Sequence, residues 1–433
     1  MGNYFGTDGI RGEYGKTLTC DLAFSVGNAL TQIKTRPRVI IGHDTRCSAD
    51  ALMLSLSAGI IQGGGFVTSV GTVPTPAISY LTESEKFDFG VIITASHNPP
   101  AYNGIKIFDR TGIKISDGEE DFLEEFFKSN FIADDCGKFH EDLSMQKKYI
   151  SHLKGCVDTR LDGLFVCLDA SFGASFKIAP SVFKSLGAKV CKLACEDRGE
   201  KINTNCGCLH IENVIKRVVQ SGADLGFAFD GDADRVIAVS KSGNIFDGDK
   251  LLYILAKDMK EKGLLYANSV VGTSHTNSGI MVALNRNKIN LIRTDIGDKY
   301  VIEAMNKMNL TLGGEQSGHI IIKTHSQTGD GTLTALKICE IVKKSGKTLE
   351  ELFDAQLIPQ CNINVRVKDK LKILNNEELK NLTNKIVTEI APAGRALVRA
   401  SGTEELVRVM VEHPSVEKAT EYANEIKNFI MKI

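Results

Sequence analysis

Leu225-Gly226-Phe227-Ala228-Phe229-Asp230-Gly231-Asp232-Ala233-Asp234-Arg235-Val236-Ile237-Ala238-Val239 decides how the rest of the chain is read. Two apolar runs of strand length close on a loop with a carboxylate at every second position. Carboxylates this close are hard to keep ionised without a cation. Oxygen-only ligands suit a hard ion such as Mg²⁺ or Ca²⁺. An EF-hand is excluded, because loop position six is Arg235 where glycine is required. The plain alternative is a solvated acidic turn, which the tight apolar flanks disfavour.

Outward from this loop the same arrangement recurs. An apolar run enters a polar loop at Ile41-Gly42-His43-Asp44, at Ile93-Thr94-Ala95-Ser96-His97-Asn98, and at Gly313-Gly314-Glu315-Gln316-Ser317. Strands are predicted at 39–42, 89–94, 164–168, 225–229, 236–239 and 320–322. Helices are predicted at 21–33, 49–62, 119–128, 250–262 and 333–344. Such alternation gives an α/β fold with mixed or mostly parallel sheets. Ligands in these sheets bind beyond the carboxyl ends of strands, so loops far apart in sequence predict a cleft assembled from several domains. After a boundary near Pro359, strand-like 362–367, 396–399 and 406–411 and helix-like 416–431 predict a small α+β domain.

Three further loops carry candidate chemistry. Ser96 follows an apolar strand, so its hydroxyl is held on a rigid support as a nucleophile or phosphoryl carrier. Nearby Lys106 neutralises charge, or exchanges a proton if its pKa is lowered. Glu315 and Ser317 alternate and so share one face, suited to vicinal sugar hydroxyls. Arg399-Ala400-Ser401-Gly402-Thr403-Glu404 joins a guanidinium, two hydroxyls and exposed backbone N–H groups, a phosphate cradle. Taken singly, these loops also read as a Pro-stopped turn, a Gly-rich connection and a β-turn. Ser345-Gly346-Lys347-Thr348 is no P-loop, because Ile341 stands where its first glycine belongs. Gly63-Gly64-Gly65 lacks dinucleotide-site spacing.

The chain has 433 residues, enough for about two to four domains. With 52 basic and 53 acidic residues it lacks the basic excess of a nucleic-acid binder. No apolar run is long enough to span a membrane, and the N-terminus shows no signal-peptide pattern. Gly2 is no myristoylation signal, because Gly6 stands where Ser or Thr is required. There are 11 cysteines and no CxxC, and the Cys191, Cys195, Cys206, Cys208, His210 group fits no standard zinc spacing. Reduced thiols and a cytoplasmic location are expected.

Together, in this order, the four loops resemble the α-D-phosphohexomutase superfamily. The likeness runs from Tyr4-Phe5-Gly6-Thr7-Asp8-Gly9-Ile10-Arg11-Gly12 to the 399–412 segment. It implies four domains around a central cleft, three related mixed-sheet α/β domains and a C-terminal α+β domain, bounded at 1–152, 153–248, 249–358 and 359–433. It implies a phosphorylated Ser96, and one Mg²⁺ per subunit held by Asp230, Asp232, Asp234 and a phosphoserine oxygen. Arg11, Lys106 and His319 would stand by the reacting phosphoryl group. Glu315, Ser317, Arg235 and His97 would face the sugar phosphate, and Arg399, Ser401, Gly402 and Thr403 the phosphate that is not reacting. Phe5–Gly12, Gln316 and Ile296-Gly297-Asp298-Lys299-Tyr300 resemble the branch that interconverts glucosamine 6-phosphate and glucosamine 1-phosphate for amino-sugar nucleotide (cell-wall precursor) synthesis. That branch works through a 1,6-bisphosphate, with glucosamine or glucose 1,6-bisphosphate as activator. The partner is a small sugar phosphate, not nucleic acid or membrane, and the expected state is monomer or homodimer.

Some positions depart from the superfamily pattern. Lys299 replaces a usual Arg, Ala400 a common Lys, Glu405 a common Pro and Phe172 a common Asn. Three other functions share parts of the pattern. They are a mutase for mannose or glucose phosphates, which more often has Met at the Gln316 position, a phosphatase with an aspartate nucleophile, and a non-catalytic sugar-phosphate sensor.

Overall fold

The computed structural model describes residues 4–6, 8–391, 394–400 and 406–433. These form two compact units, one of residues up to Thr276 with Leu284–Asp354, the other of Asn277–Ala283 with Ala355–Ile433. The first unit carries three sheets. The seven-stranded sheet has the order Phe5–Gly6, Gly9–Glu13, Tyr102–Phe108, Phe89–Ile93, Arg38–His43, Phe66–Thr72, Lys138–Glu141. Arg38–His43 pairs parallel with both neighbours, and Phe89–Ile93 runs antiparallel to Tyr102–Phe108. The five-stranded sheet has the order Ile245–Phe246, Val236–Ser240, Leu225–Phe229, Phe165–Asp169, Lys189–Leu193. The four-stranded sheet has the order Asn290–Thr294, Ser269–Thr273, Leu312–Gly314, Ile320–Ile322. All three are mixed sheets, as the alternation of runs predicts.

Each of the six predicted strands of this unit is present. Residues 225–229 and 236–240 are buried throughout, and they pair antiparallel in register Phe229↔Val236, which pins the acidic loop at a hairpin end. The helices Cys20–Ile33 and Ala49–Gln62 cover one face of the first sheet. They touch at glycines: a Cβ on Gly27 would lie 2.0 Å from the Leu56 carbonyl oxygen, and one on Gly59 2.1 Å from that of Phe24. The helix predicted at 119–128 instead runs Asp117–Glu124. A capping box of Ser116 and Glu119 starts it early. It stops early because Phe126 and Phe127 N–H bond three residues back, to Leu123 and Glu124.

The second unit holds an antiparallel sheet in the order Gln360–Arg366, Leu406–Glu412, Arg395–Ala400, with the helices Glu377–Ile390 and Val416–Ile430. No helix among the described residues is long and apolar enough to cross a membrane.

In the first unit, Tyr149 on the helix Met145–Gly155 donates to Asp330 Oδ2 at 2.6 Å. Asp330 also caps the helix Gly331–Ser345 by accepting from Leu333 N–H at 2.8 Å. Burial pushes the Asp330 carboxyl from 3.8 up to about 6, with Leu333 and Tyr149 opposing the rise. Its ionisation therefore costs stability as pH climbs from about 4 to about 6. Tyr149→Phe removes a donor that favours the ionised form, so it costs about 1–3 kcal/mol at pH 8 and less at pH 5. Urea unfolding at the two pH values checks this; an equal loss at both would contradict it.

Candidate active site

Ser96 sits at the carboxyl end of strand Phe89–Ile93 with a left-handed backbone (φ 50°), a strained conformation for a non-glycine residue. Arg46, buried beneath the loop, holds it there. Its guanidinium donates to the carbonyls of Ser96 (3.0 Å), Asn98 (2.8 Å), Pro99 (2.5 Å) and Tyr102 (2.7 Å). Its Nε donates to Asp44 Oδ2 at 2.9 Å, and Thr94 Oγ1 donates to the same oxygen at 2.6 Å. Asn203, from beside the second sheet, donates to the Ser96 and Asn98 carbonyls at 2.8 and 3.0 Å. The loop's carbonyls are thus satisfied from below, and the hydroxyl is left to the chemistry above.

That hydroxyl donates to Asp230 Oδ2 at 2.6 Å and lies 3.3 Å from His97 Nδ1. Asp230, Asp232 and Asp234 each turn a carboxylate oxygen inward, and these atoms lie within 4.8 Å of one another. Burial, then Asp234 and Asp232, push Asp230 well above the carboxylate range. Asp232 Oδ2 accepts from Thr75 Oγ1 (2.6 Å) and Lys106 Nζ (2.9 Å). Asp232 Oδ1 and Asp234 Oδ1 are buried with no hydrogen-bond partner among the described residues. Two orphaned oxygens beside a third carboxylate fit a small hard cation.

Lys106 is 1% exposed, with Asp232, Asp8 and Asp234 at 2.9, 3.1 and 3.4 Å. Burial opposes its charge, but Asp232 and then Asp8 and Asp234 outweigh that and raise its pKa. The sequence allows a charge-neutralising or a proton-exchanging lysine here; in this arrangement the three carboxylates favour its charged form. Burial, then Arg235 and Arg11, lower His97 to about 3, so its imidazole is neutral.

Asp8 continues the network. It pairs with Arg11 and Lys114 as well as Lys106. Arg11 also donates to Asn98 Oδ1 at 3.0 Å. Lys114 reaches on to Asp298, which lies 3.7 Å from His319 Nε2. Gly329 N–H donates to that nitrogen at 3.2 Å, which puts the proton of a neutral ring on Nδ1.

Arg235 and His319 form a β-bridge that joins the acidic loop to the 313–319 loop. Glu315 is buried and accepts from Gly297 N–H at 3.1 Å, while Ser317 is exposed. Burial raises the Glu315 pKa, opposed by His319 and Arg235 and aided by Asp298. Gln316 hydrogen-bonds Asp247, which caps the helix Gly248–Glu261. Lys299 forms a forked contact to Asp117 at 2.8 and 2.9 Å. Phe172, where Asn is common, has φ 52°, a conformation Asn tolerates better.

So Ser96, His97, Lys106, Arg11, Asp230, Asp232, Asp234, Arg235, Glu315 and His319 all belong to one unit and one connected network. Arg399 belongs to the second unit, where its Nη1 donates to the Ala400 carbonyl at 3.3 Å. Ser401, Gly402 and Thr403 lie outside the described residues. Sequence reasoning missed Arg46, Asn203, Thr75 and Lys114. Asp8 and Asp298 lay inside quoted motifs but were given no role.

A serine on a strained turn, an acidic triad and a ring of fixed cations define a phosphoryl-transfer site on an α/β scaffold. Four stretches match the phosphoglucomutase/phosphomannomutase family: alpha/beta/alpha domain I at residues 2–132, domain II at 147–243, domain III at 247–358 and the C-terminal domain at 363–429. The chain belongs to this family. A phosphoglucosamine mutase of Caldanaerobacter subterraneus subsp. tengcongensis is 47% identical over 442 residues, covering 99% of each chain. A phosphoglucomutase/phosphomannomutase family protein from Burkholderia thailandensis shares the fold with a TM-score of 0.85 at 24% identity, over 99% of this chain and 97% of that one. N-acetylphosphoglucosamine mutase of Aspergillus fumigatus, solved in complex with GlcNAc-6P and magnesium, shares it with a TM-score of 0.69 at 16% identity, over 99% and 95%.

Arg46→Met strips Asp44 of its partner and frees four loop carbonyls. It is expected to cost about 3–5 kcal/mol, the usual loss when one side of a buried ion pair is removed. Urea unfolding measures it; an unchanged midpoint would contradict the clamp.

Proposed function

We propose that this chain is a mutase that interconverts glucosamine 6-phosphate and glucosamine 1-phosphate, feeding amino-sugar nucleotide synthesis in the cytoplasm. The observation that carries this is the Ser96 hydroxyl, 2.6 Å from Asp230 at the mouth of the acidic triad. The 47% identity to a phosphoglucosamine mutase supports the sugar. The four loops fall in domains we place at 1–152, 153–248, 249–358 and 359–433, in a monomer or homodimer.

In this reading Ser96 Oγ carries a phosphoryl group. The sugar 1-hydroxyl attacks it and passes its proton to a base of the protein, while the P–O bond to Ser96 breaks and Ser96 Oγ takes a proton from an acid of the protein. The 1,6-bisphosphate turns over, its 6-phosphoryl group returns to Ser96, and the 1-phosphate leaves. A free 1,6-bisphosphate serves as activator by phosphorylating Ser96. Little of this is covalent work for the protein; it is positioning and charge.

Arg11, Lys106 and His319 stand by the transferring group, and the proton exchange falls among Lys106, His319 and their neighbours. Glu315 and Ser317 hold ring hydroxyls, with Arg235 and His97 beside them. Arg399, Ser401, Gly402 and Thr403 take the idle phosphate. Asp230, Asp232, Asp234 and a phosphoserine oxygen would hold one Mg²⁺, which neutralises charge on the phosphoryl oxygens.

A ³¹P NMR time course with Mg²⁺ and trace bisphosphate, on glucosamine, glucose and mannose 6-phosphates together, tests the reaction. Glucosamine 1-phosphate forms first; faster glucose or mannose conversion overturns the sugar, and release of inorganic phosphate alone overturns the mutase. Ser96→Ala drops turnover on the order of 10³-fold or more, and near-normal turnover would refute the serine. Mg²⁺ raises the wild-type melting temperature but not that of Asp232→Asn/Asp234→Asn; equal shifts would place the metal elsewhere.

A further inference from the structure

We propose that Asp298 receives the C2 ammonium of the sugar phosphate and so sets the preference for an amino sugar. The proposal rests on the glucosamine reading above. Glucosamine differs from glucose by a cationic group at C2. Recognising that difference calls for an anion next to the groups that hold the ring.

Asp298 occupies such a place. It opens the helix Asp298–Met308, directly after Gly297, whose N–H donates to Glu315 Oε1 at 3.1 Å. One turn therefore fixes Glu315 through its backbone and presents a second carboxylate beside it. The C2 substituent of a hexose neighbours the 3-hydroxyl. If Glu315 takes ring hydroxyls, a carboxylate alongside it faces C2. The Asp298 side chain is 15% exposed, so it is open to a ligand while held in position.

The local charge points the same way. Asp298 Oδ1 accepts from Lys299 N–H at 2.9 Å, and Oδ2 pairs with Lys114. Lys114 is shared with Asp8, which also engages Arg11. Lys299, next in the chain, is turned away onto Asp117. Asp8 is shared among Arg11, Lys106 and Lys114, Glu315 lies in the field of Arg235 and His319, and Asp298 pairs with Lys114, while His319 Nε2 accepts from Gly329. A neutral 2-hydroxyl brings no charge to the adjacent Asp298 and Glu315 carboxylates. An ammonium brings a positive charge and three N–H donors to the two carboxylates.

The test compares kcat/KM for glucosamine 6-phosphate and glucose 6-phosphate in wild type, Asp298→Asn and Asp298→Glu. Asp298→Asn is expected to lower the amino-sugar preference by roughly tenfold or more, the scale of a lost charge-assisted hydrogen bond. The loss falls mainly on KM for glucosamine 6-phosphate. Asp298→Glu keeps the charge but moves it by one methylene, and gives a ratio between the other two. Equal losses on both sugars would show that Asp298 only positions the turn, and overturn the proposal. An unchanged ratio in Asp298→Glu overturns it even if the Asn variant does not fold. A wild-type enzyme that converts both sugars equally refutes the glucosamine reading itself, and the Asp298 assignment with it.

Discussion

The buried ammonium of Lys106 is the contact on which the site depends. It reaches carboxylates from two separate parts of the chain, Asp8 at one end and Asp232 and Asp234 at the other. Burying it alone would be prohibitive, and so would burying the acids alone. Each makes the other tolerable, so the first and second sheets are fixed to each other through charge. The compensation is incomplete: among the described residues Lys106 and Arg235 are the lysine and arginine paired with this triad, and two carboxylate oxygens have no hydrogen-bond partner. A site with that deficit is prepared for a cation rather than merely tolerant of one.

The same economy governs Ser96. A left-handed serine costs about 1 kcal/mol or more, and it persists because Arg46 and Asn203 take the loop's carbonyls. The strain aims the hydroxyl at Asp230. Arg46 and Asn203 lie in loops beside different sheets, so the serine is positioned by the same junction that Lys106 closes.

Much of this was legible in the chain. Apolar runs located the strands that lead into the Ser96 and Asp230 loops, but not Tyr102–Phe108 after the first or Leu312–Gly314 before Glu315, and the spacing of Asp230, Asp232 and Asp234 pointed to a hard cation. What was not legible is contact at long range. Arg46 lies just past a quoted strand-to-loop junction, yet no local pattern says that an arginine will be buried under a loop fifty residues on. Lys114 and Asp298 are 184 positions apart, and neither stands in a motif whose spacing implies the other. The helix Thr75–Ser84 escaped notice because Thr, Ser and Pro blur its period. Helix 119–128 was misjudged at its ends, where capping and tight turns override periodicity. Lys299, which stands where Arg is usual, makes a forked contact to Asp117 that no local pattern announces.

These contacts also separate chemistry from selection. Ser96 is held by groups around the first two sheets, whereas Glu315 and Asp298 hang from the third. The two halves touch through the Arg235–His319 bridge and through Lys114, which spans Asp8 and Asp298. The bridge is backbone and insensitive to side-chain identity. The lysine contact is not, and it sets the charge at Asp8 and Asp298. A fold with this wiring can change the sugar it accepts by altering the 296–299 turn while leaving the serine, its clamp and the acidic triad untouched. On the Asp298 proposal, that gives one α/β scaffold a physical route to phosphate transfer on several hexoses.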